Sequence, residues 1–212
     1  MKVLDVTEVK LEWSDLRTMT RHPEPEPSRS AGVHVSGVLK YVAKELAMFT
    51  AEDQDDEMPL RILLGLAFEE MAARLYPEMH WQPGEISRDG VIGSPDGLSY
   101  LPEYGFMCVD EFKFTGKSQR VKGGKDGELK DIRSEWLWMQ QCQSYLNLYR
   151  GHGVEMRHAR LHICWKYGVY GEWPLTERYY RYLVEYEEAE LDRNWAMMIK
   201  YKGAVEPEGR EL

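Results

Sequence analysis

The side chains best suited to metal and phosphate chemistry lie in two short stretches of the chain. The first, residues 93–97, carries Asp96, and the second, residues 109–113, carries Glu111 and Lys113. Alternate residues of a strand point to opposite faces, so Glu111 and Lys113 share one face. Two carboxylates converging from neighbouring strands form the hard oxygen site that Mg²⁺ or Mn²⁺ prefers. The lysine could orient or deprotonate a water, or neutralise charge on a phosphate; the alternative is a solvent-facing ion pair on an edge strand.

A helix upstream of these strands carries a third carboxylate. Pro59 is suited to the first turn of a helix that runs to about Leu75. Its apolar residues recur at helical spacing, and a separate face carries Glu69 between small residues. We expect this face to lie close to a sheet and bring Glu69 to it. The alternative is an ordinary exposed glutamate, with Glu70 equally well placed.

The remaining periodicity predicts a mixture of helices and strands along the chain. Prolines between residues 22 and 28 exclude a helix or a central strand there. The predicted elements are a strand within 1–12, a helix from Ser36 to Thr50, strands at 81–87, 91–98 and 106–114 with a turn at 102–105, a helix at 129–150, a strand at 159–167, and a last helix from Thr176 to Tyr201. The order predicts an α/β fold, in which a central mixed sheet is flanked by helices, with extra N- and C-terminal helices.

Four motifs in chain order connect these elements. They are Gly65-x-x-x-Glu69, Ser94-Pro95-Asp96-Gly97, Glu111-x-Lys113 and Gln141-x-x-x-Tyr145. Between about residues 61 and 150, the series resembles the PD-(D/E)XK nuclease superfamily, and most closely its RecB-like and phage-lambda-exonuclease-like (YqaJ-type) branch. The resemblance implies a restriction-endonuclease-like core.

The resemblance also implies roles for the matching residues. Asp96, Glu111, Glu69 and the backbone carbonyl of Phe112 would bind one or two Mg²⁺ or Mn²⁺ ions, and Lys113 would assist the attacking water. Gln141, Tyr145 and Ser94 would contact the DNA or position the site. Without a cation, the three carboxylates would repel each other and one would take up a proton.

The implied activity is that of a metal-dependent deoxyribonuclease, an exonuclease acting on linear duplex or single-stranded DNA ends in phage or bacterial recombination or repair. The implied partners are DNA, a recombination or annealing protein and further copies of the chain. One branch of the superfamily carries a histidine where this chain has Glu69. Another carries four cysteines for an iron–sulfur cluster, whereas this chain has three without a motif spacing. We therefore expect no such cluster.

The charge of the chain favours a rival interpretation. The formal net charge is −9, whereas nucleic-acid-binding proteins usually show a basic footprint. Seven basic and three acidic residues nevertheless lie between positions 113 and 133. Lys117, Arg120 and Lys122 in this segment either bind phosphates or form a solvated charge run. The alternatives to an enzyme are an acidic DNA mimic, which has no use for a lysine among its carboxylates, and a degenerate nuclease fold that only binds nucleic acid.

Cysteine usage and hydropathy predict the environment. Three unpatterned cysteines favour a reducing compartment, and the absence of a long apolar run predicts no contact with a membrane. We therefore expect a cytoplasmic protein of a bacterium or a phage-infected cell. We expect one domain over 1–212, with an N-terminal strand and arm (1–32), a core (33–203) and a flexible tail (204–212). His162 and the cysteines are interpreted as structural; Trp136 and Trp138 either stack on bases or belong to the core.

Overall fold

A computed structural model describes residues 1–9, 30–46, 58–115, 130–165 and 178–205, with backbone only at 58–64 and 66. The strands are β1 (Lys2–Val9), β2 (Val33–His34), β3 (His80–Trp81), β4 (Ile86–Arg88), β5 (Val91–Gly93), β6 (Gly97–Leu101), β7 (Phe106–Thr115), β8 (His158–Trp165) and β9 (Arg178–Glu185). The helices are α1 (Val35–Glu45), α2 (Met58–Leu75), α3 (Trp136–Gly151) and α4 (Glu188–Tyr201), with short 3-10 turns at Ile132–Ser134 and Lys202–Ala204.

The strands form one central sheet and one small sheet. The central sheet has six strands in the order β1-β9-β8-β7-β6-β3. Its strands β7 and β8 are parallel, and the other neighbours are antiparallel. The small sheet has the order β2-β5-β4. The predicted α/β class, a central mixed sheet flanked by helices, is confirmed.

Helices cover both faces of the central sheet. On one face, α1, α3 and α4 pack on apolar residues such as Val109, Leu161 and Ile163. On the other, α2 packs on Phe112 and Tyr179 through Phe68, with ring centroids 6.0 and 5.2 Å apart. We call these the α3 face and the α2 face. Because β7 and β8 are covered on both sides, both sets of their alternating side chains are buried.

The prediction of single strands at 81–87 and 91–98 is wrong. Only β3 and β6 in this region join the central sheet, whereas β4 and β5 form a hairpin in the small sheet. The hairpin turn is Asp89-Gly90, with φ of 52° and 78°. Asp-Gly is the residue pair that such a two-residue turn favours, because both positions need positive φ. This dipeptide is the sequence signal that could have separated the two strands.

The prediction of one last helix from Thr176 is also wrong. Thr176 lies outside the described residues, and β9 occupies Arg178–Glu185, where it pairs with β8 and β1. The helix begins at Glu188 after a capping box in which Glu187 and Glu190 bond each other's backbone N–H groups. The spacing of the tyrosines in this segment is compatible with a helix and led to the wrong prediction, but aromatic and β-branched residues also favour strands.

Two helix boundaries differ from the prediction, whereas the strand predicted within residues 1–12 is confirmed as β1. Helix α1 begins at Val35 with His34 at the N-cap position, and the His34 ring bonds the Ser30 carbonyl instead of capping the helix. Helix α3 begins at Trp136, later than expected, after the 3-10 turn. Strand β1 is the edge of the central sheet, so it belongs to the same fold as the rest of the core.

Other predictions are confirmed or lie outside the described residues. Confirmed are strand β7, the turn at 102–105 and helix α2, and the three cysteines, interpreted as structural, are all buried. The proline-rich segment 22–28, the basic residues Lys117, Arg120 and Lys122, and all of the predicted tail after residue 205 lie outside. None of the helices in the described part of the chain combines the length and apolarity needed to cross a membrane.

Candidate active site

Asp96, Glu111 and Lys113 meet where the β6–β7 ladder ends. The last paired residues are Gly97 and Asp110. Beyond them, the Asp96 carboxylate replaces the missing backbone partner, because its Oδ2 accepts a hydrogen bond from the Phe112 N–H at 2.7 Å. Lys113 Nζ donates to Glu111 Oε1 as an ion pair, so the two side chains lie on the same face as predicted.

Glu111 is the most confined of these groups. Its side chain is 1% exposed, and its Oε2 is buried without a hydrogen-bond partner among the described residues. Burial, followed by the nearby Asp96 charge, raises the pKa of Glu111 to about 8, although Lys113 opposes the shift. Burial and the Asp96 charge therefore oppose ionisation of this carboxyl, whereas its ion pair with Lys113 favours ionisation.

The pKa of Lys113 is shifted in favour of its charged form. Burial disfavours its charged form, but the Glu111 and Asp96 carboxylates outweigh burial and hold its pKa above the ordinary value. Lys113 is therefore an ammonium at neutral pH. It can place positive charge near a developing anion, whereas removal of a proton from water would require it to be neutral.

Helix α3 packs over the same corner of the central sheet. Gln141 Nε2 donates to the Tyr145 hydroxyl at 2.8 Å, which confirms that these residues share a helix face. Burial and then the charges of Glu111 and Asp96 raise the pKa of Tyr145, so its hydroxyl stays neutral beside the carboxylates. Burial and then the Glu111 charge raise the pKa of the thiol of Cys142, the residue that follows Gln141 on α3.

The other predicted site residues have different positions. Ser94 is exposed in the segment between β5 and β6, two residues before Asp96. Glu69 is half-buried on α2, the helix of the opposite face, and the structure does not group it with Asp96 and Glu111. The Phe112 ring packs on the α2 face against Phe68, and the predicted role of the Phe112 backbone carbonyl stays a prediction. Lys117, Arg120 and Lys122 lie outside the described residues.

The donor atoms at this corner fit a hard divalent cation. Two carboxylates converge, and one buried oxygen lacks a hydrogen bond from the described residues. Within the described part of the chain, no three His, Cys, Asp or Glu side chains are grouped to hold one ion. This set suits Mg²⁺, which binds one or two carboxylates and fills its other positions with water and substrate phosphate.

A second polar cluster, on the α2 face, was missed by the sequence reasoning. It is centred on Asp110, which is fully buried beside Arg160, His162 and Ser99. The available signal was the alternation of β8, where Arg160 and His162 stand two residues apart between apolar neighbours. Helices cover both faces of β8, so two polar residues on one of its faces are buried. Buried polar side chains need hydrogen-bond partners that are buried as well.

Comparison with known proteins gives little further information. No protein-family model matches the chain, and no curated protein matches its sequence. Among solved structures, the chain is similar to the crystal structure of a phage-related exonuclease from Haemophilus somnus 129PT, with a TM-score of 0.44 and 11% sequence identity over 92% of each chain. A likeness at this level assigns no activity to the present chain.

Proposed function

We propose that this protein is a Mg²⁺- or Mn²⁺-dependent nuclease that hydrolyses phosphodiester bonds at the ends of DNA. The observation that carries the proposal is Glu111: a buried carboxylate with one oxygen bonded to Lys113, the other without a hydrogen bond from the described residues, and Asp96 beside it. A protein that needed only stability would replace such a group by an apolar residue.

Asp96 and Glu111 would hold the cation, and Glu69 would join them only after a movement of α2 or through water. The cation would supply Lewis acidity that screens the phosphate charge and makes water a better nucleophile. Lys113, as an ammonium, would stabilise the charge that develops on the phosphate. Tyr145 and Gln141, hydrogen-bonded to each other, would orient the DNA backbone above the carboxylates.

The test compares cleavage of end-labelled linear duplex, single-stranded and closed circular DNA in Mg²⁺, Mn²⁺ or EDTA. We expect cleavage of linear DNA with metal, none with chelator and resistance of the closed circle. Glu111→Gln and Lys113→Met should each lower the rate about 100-fold or more, because each removes charge from the reacting centre.

Glu103→Gln is the matched control, since Glu103 is an exposed glutamate in the turn that joins the same two strands. Its rate should equal that of the parent. Cleavage that persists in both Glu111→Gln and Lys113→Met would rule out this site. DNA binding without cleavage in any metal would instead identify a nuclease fold that only binds nucleic acid.

A further inference from the structure

A buried polar network crosses four adjacent strands on the α2 face, directly behind the candidate active site. Its members are Ser99 on β6, Asp110 on β7, Arg160 and His162 on β8, and Tyr179 on β9. None of them is more than 4% exposed. The proposed chemistry uses none of these side chains, although Asp110 immediately precedes Glu111.

The Asp110 carboxylate is the centre of the network. Its Oδ2 accepts from Ser99 Oγ at 2.5 Å, and its Oδ1 accepts from Arg160 Nε at 2.5 Å and His162 Nε2 at 3.0 Å. Arg160 Nη2 also donates to Ser99 Oγ at 2.7 Å. Ser99 therefore uses its hydroxyl both to donate and to accept, which ties β6 to β7 and β8.

The far end of the network reaches β9. Because a carboxylate can only accept, His162 Nε2 carries the proton, and His162 Nδ1 accepts from the Tyr179 hydroxyl at 2.6 Å. Gly97 lies opposite Asp110 and leaves room for the network, since a Cβ there would lie 2.5 Å from Met79 Sδ and 3.2 Å from Asp110 Cβ.

The network lies at the end of the β6–β7 ladder, where the alignment of these two strands sets the positions of Asp96 and Glu111. The β6–β7 backbone ladder ends at Gly97 and Asp110, and Asp96 and Glu111 lie one residue beyond it. Two side-chain bonds flank that end: Ser99 to Asp110 on the α2 face, and the Phe112 N–H to Asp96 at 2.7 Å. A slip of β6 would separate the two carboxylates.

We propose that Ser99, Asp110 and Arg160 are positioning residues, which hold β6 against β7 so that Asp96 and Glu111 face one point. The consequence for metal binding and cleavage rests on the proposed function. Burying such charges costs desolvation energy, and apolar residues of similar size would stabilise the sheet equally well. The hydrogen bonds specify a single alignment, which apolar contacts do not.

The test is the backbone amide of Phe112, which reports directly on the Asp96 carboxylate. The chain has five phenylalanines, so selective ¹⁵N labelling of this residue type gives five backbone signals. In Ser99→Ala, we expect the Phe112 amide to exchange with solvent about tenfold faster or more than in the parent, after correction for global stability. The affinity for Mn²⁺, measured by electron paramagnetic resonance, should fall by a similar factor.

Two variants separate positioning from stability. Ser144→Ala removes a buried serine of α3 that bonds Gln140 O at 2.8 Å and Asn194 Oδ1 at 3.2 Å, away from the network. Tyr179→Phe removes the hydroxyl that bonds His162 Nδ1 and lies 3.4 Å from the Tyr76 hydroxyl, but it keeps the link from Ser99 to Asp110. Both should lower the free energy of unfolding and leave the corrected Phe112 exchange within about twofold of the parent.

Equal corrected exchange in all three variants and the parent would overturn the proposal, because the network would then contribute stability alone. The amide measurement needs neither cation nor substrate, so its result is independent of the nuclease proposal. Faster Phe112 exchange in Ser99→Ala in a protein that cleaves no DNA would support the positioning role and reject the nuclease.

Discussion

At the scale of single residues, the site consists of charged groups whose burial is unfavourable. Glu111 is almost fully buried, and Asp96 adds a second negative charge beside it. Lys113 pairs with only one of the two Glu111 carboxylate oxygens, Oε1. Burying such a carboxylate in a sheet is energetically unfavourable unless a cation or a proton neutralises its charge. That one carboxylate takes up a proton when no cation is bound stays a prediction; burial and the Asp96 charge shift the pKa of Glu111 upward, in that direction.

His162 should make the stability of the fold sensitive to acid. Burial lowers its pKa from 6.5 to about 4, despite the opposing effect of Asp110. As pH falls below 6.5, the unfolded chain binds a proton at this residue while the folded chain does not, so stability is lost between pH 6.5 and 4. The shift corresponds to a loss on the order of 3 kcal/mol, measurable by urea unfolding at a series of pH values.

In His162→Phe, which retains an aromatic ring beside Phe112, this part of the pH dependence should disappear, even though the variant is less stable at neutral pH. Burial alone would raise the pKa of Asp110, but hydrogen bonds from His162 and Arg160 and the Arg160 charge hold it low. Part of the loss on acidification therefore remains. His152→Gln, at an exposed histidine, should keep the parent's full slope. An unchanged slope in His162→Phe would contradict the assignment.

At the scale of elements, the site depends on how closely α3 approaches β5. Gly93, at the end of β5, is buried, and a Cβ there would lie 2.5 Å from Leu148 Cδ1 and 2.9 Å from Tyr145 Cε1. The backbone of β5 therefore lies against the same helix that carries Gln141 and Tyr145. The glycine is required by this close approach, since its φ is not in the left-handed region.

Gly93→Ala should lower the free energy of unfolding by about 1–3 kcal/mol, because the Tyr145 ring must move to admit the methyl group. The same movement should weaken the bond from Gln141 to the Tyr145 hydroxyl. Urea unfolding measures the first effect, and the activity of the folded variant measures the second.

Gly65→Ala provides the comparison for the same substitution elsewhere. Gly65 lies within α2, and no atom of the described residues comes within 4 Å of a Cβ placed there. Alanine should raise stability by about 0.5–1 kcal/mol, since glycine is unfavourable inside a helix. Equal effects of the two substitutions would contradict the close approach of α3 to β5.

At the scale of the whole molecule, the central sheet separates two polar centres that share β7. Glu111 and Lys113 lie on the α3 face, and Asp110 lies on the α2 face with its buried partners. Side chains of one strand would therefore serve both proposed roles, one by binding and the other by alignment. The net charge of −9 opposes a general attraction to DNA, so in the proposed nuclease a local basic segment would supply the attraction to phosphates.

The segment around Lys117, Arg120 and Lys122 is the predicted source of that attraction. Replacing two of these residues by glutamine should weaken DNA binding and reduce the slope of log affinity against log salt by roughly 1 for each phosphate that is no longer neutralised. Fluorescence anisotropy measures both quantities between about 50 and 300 mM salt, over which the Debye length falls from roughly 14 to 6 Å. The exposed helix residues Lys40 and Lys44 are the matched control. An unchanged slope in the segment variant would count against phosphate binding by this segment.

The sequence by itself determined the α/β class, helix α2, strand β7 and the shared face of Glu111 and Lys113. These follow from local periodicity, in which each residue's direction depends only on its neighbours along the chain. The spacing of Gln141 and Tyr145 likewise predicted a contact that the structure contains. The Asp89-Gly90 turn is a local signal of the same kind, and it marks the hairpin that the predicted strands did not include.

Only the tertiary structure decided which distant residues meet. It joined β9 to β8, although the tyrosine spacing of that segment was compatible with a helix. It placed α2, with Glu69, on the face opposite Glu111, and assembled Ser99, Asp110, Arg160 and His162 from three strands. Strand order and the face that a helix covers are set by burial of the whole core, and periodicity within one element carries no information about either.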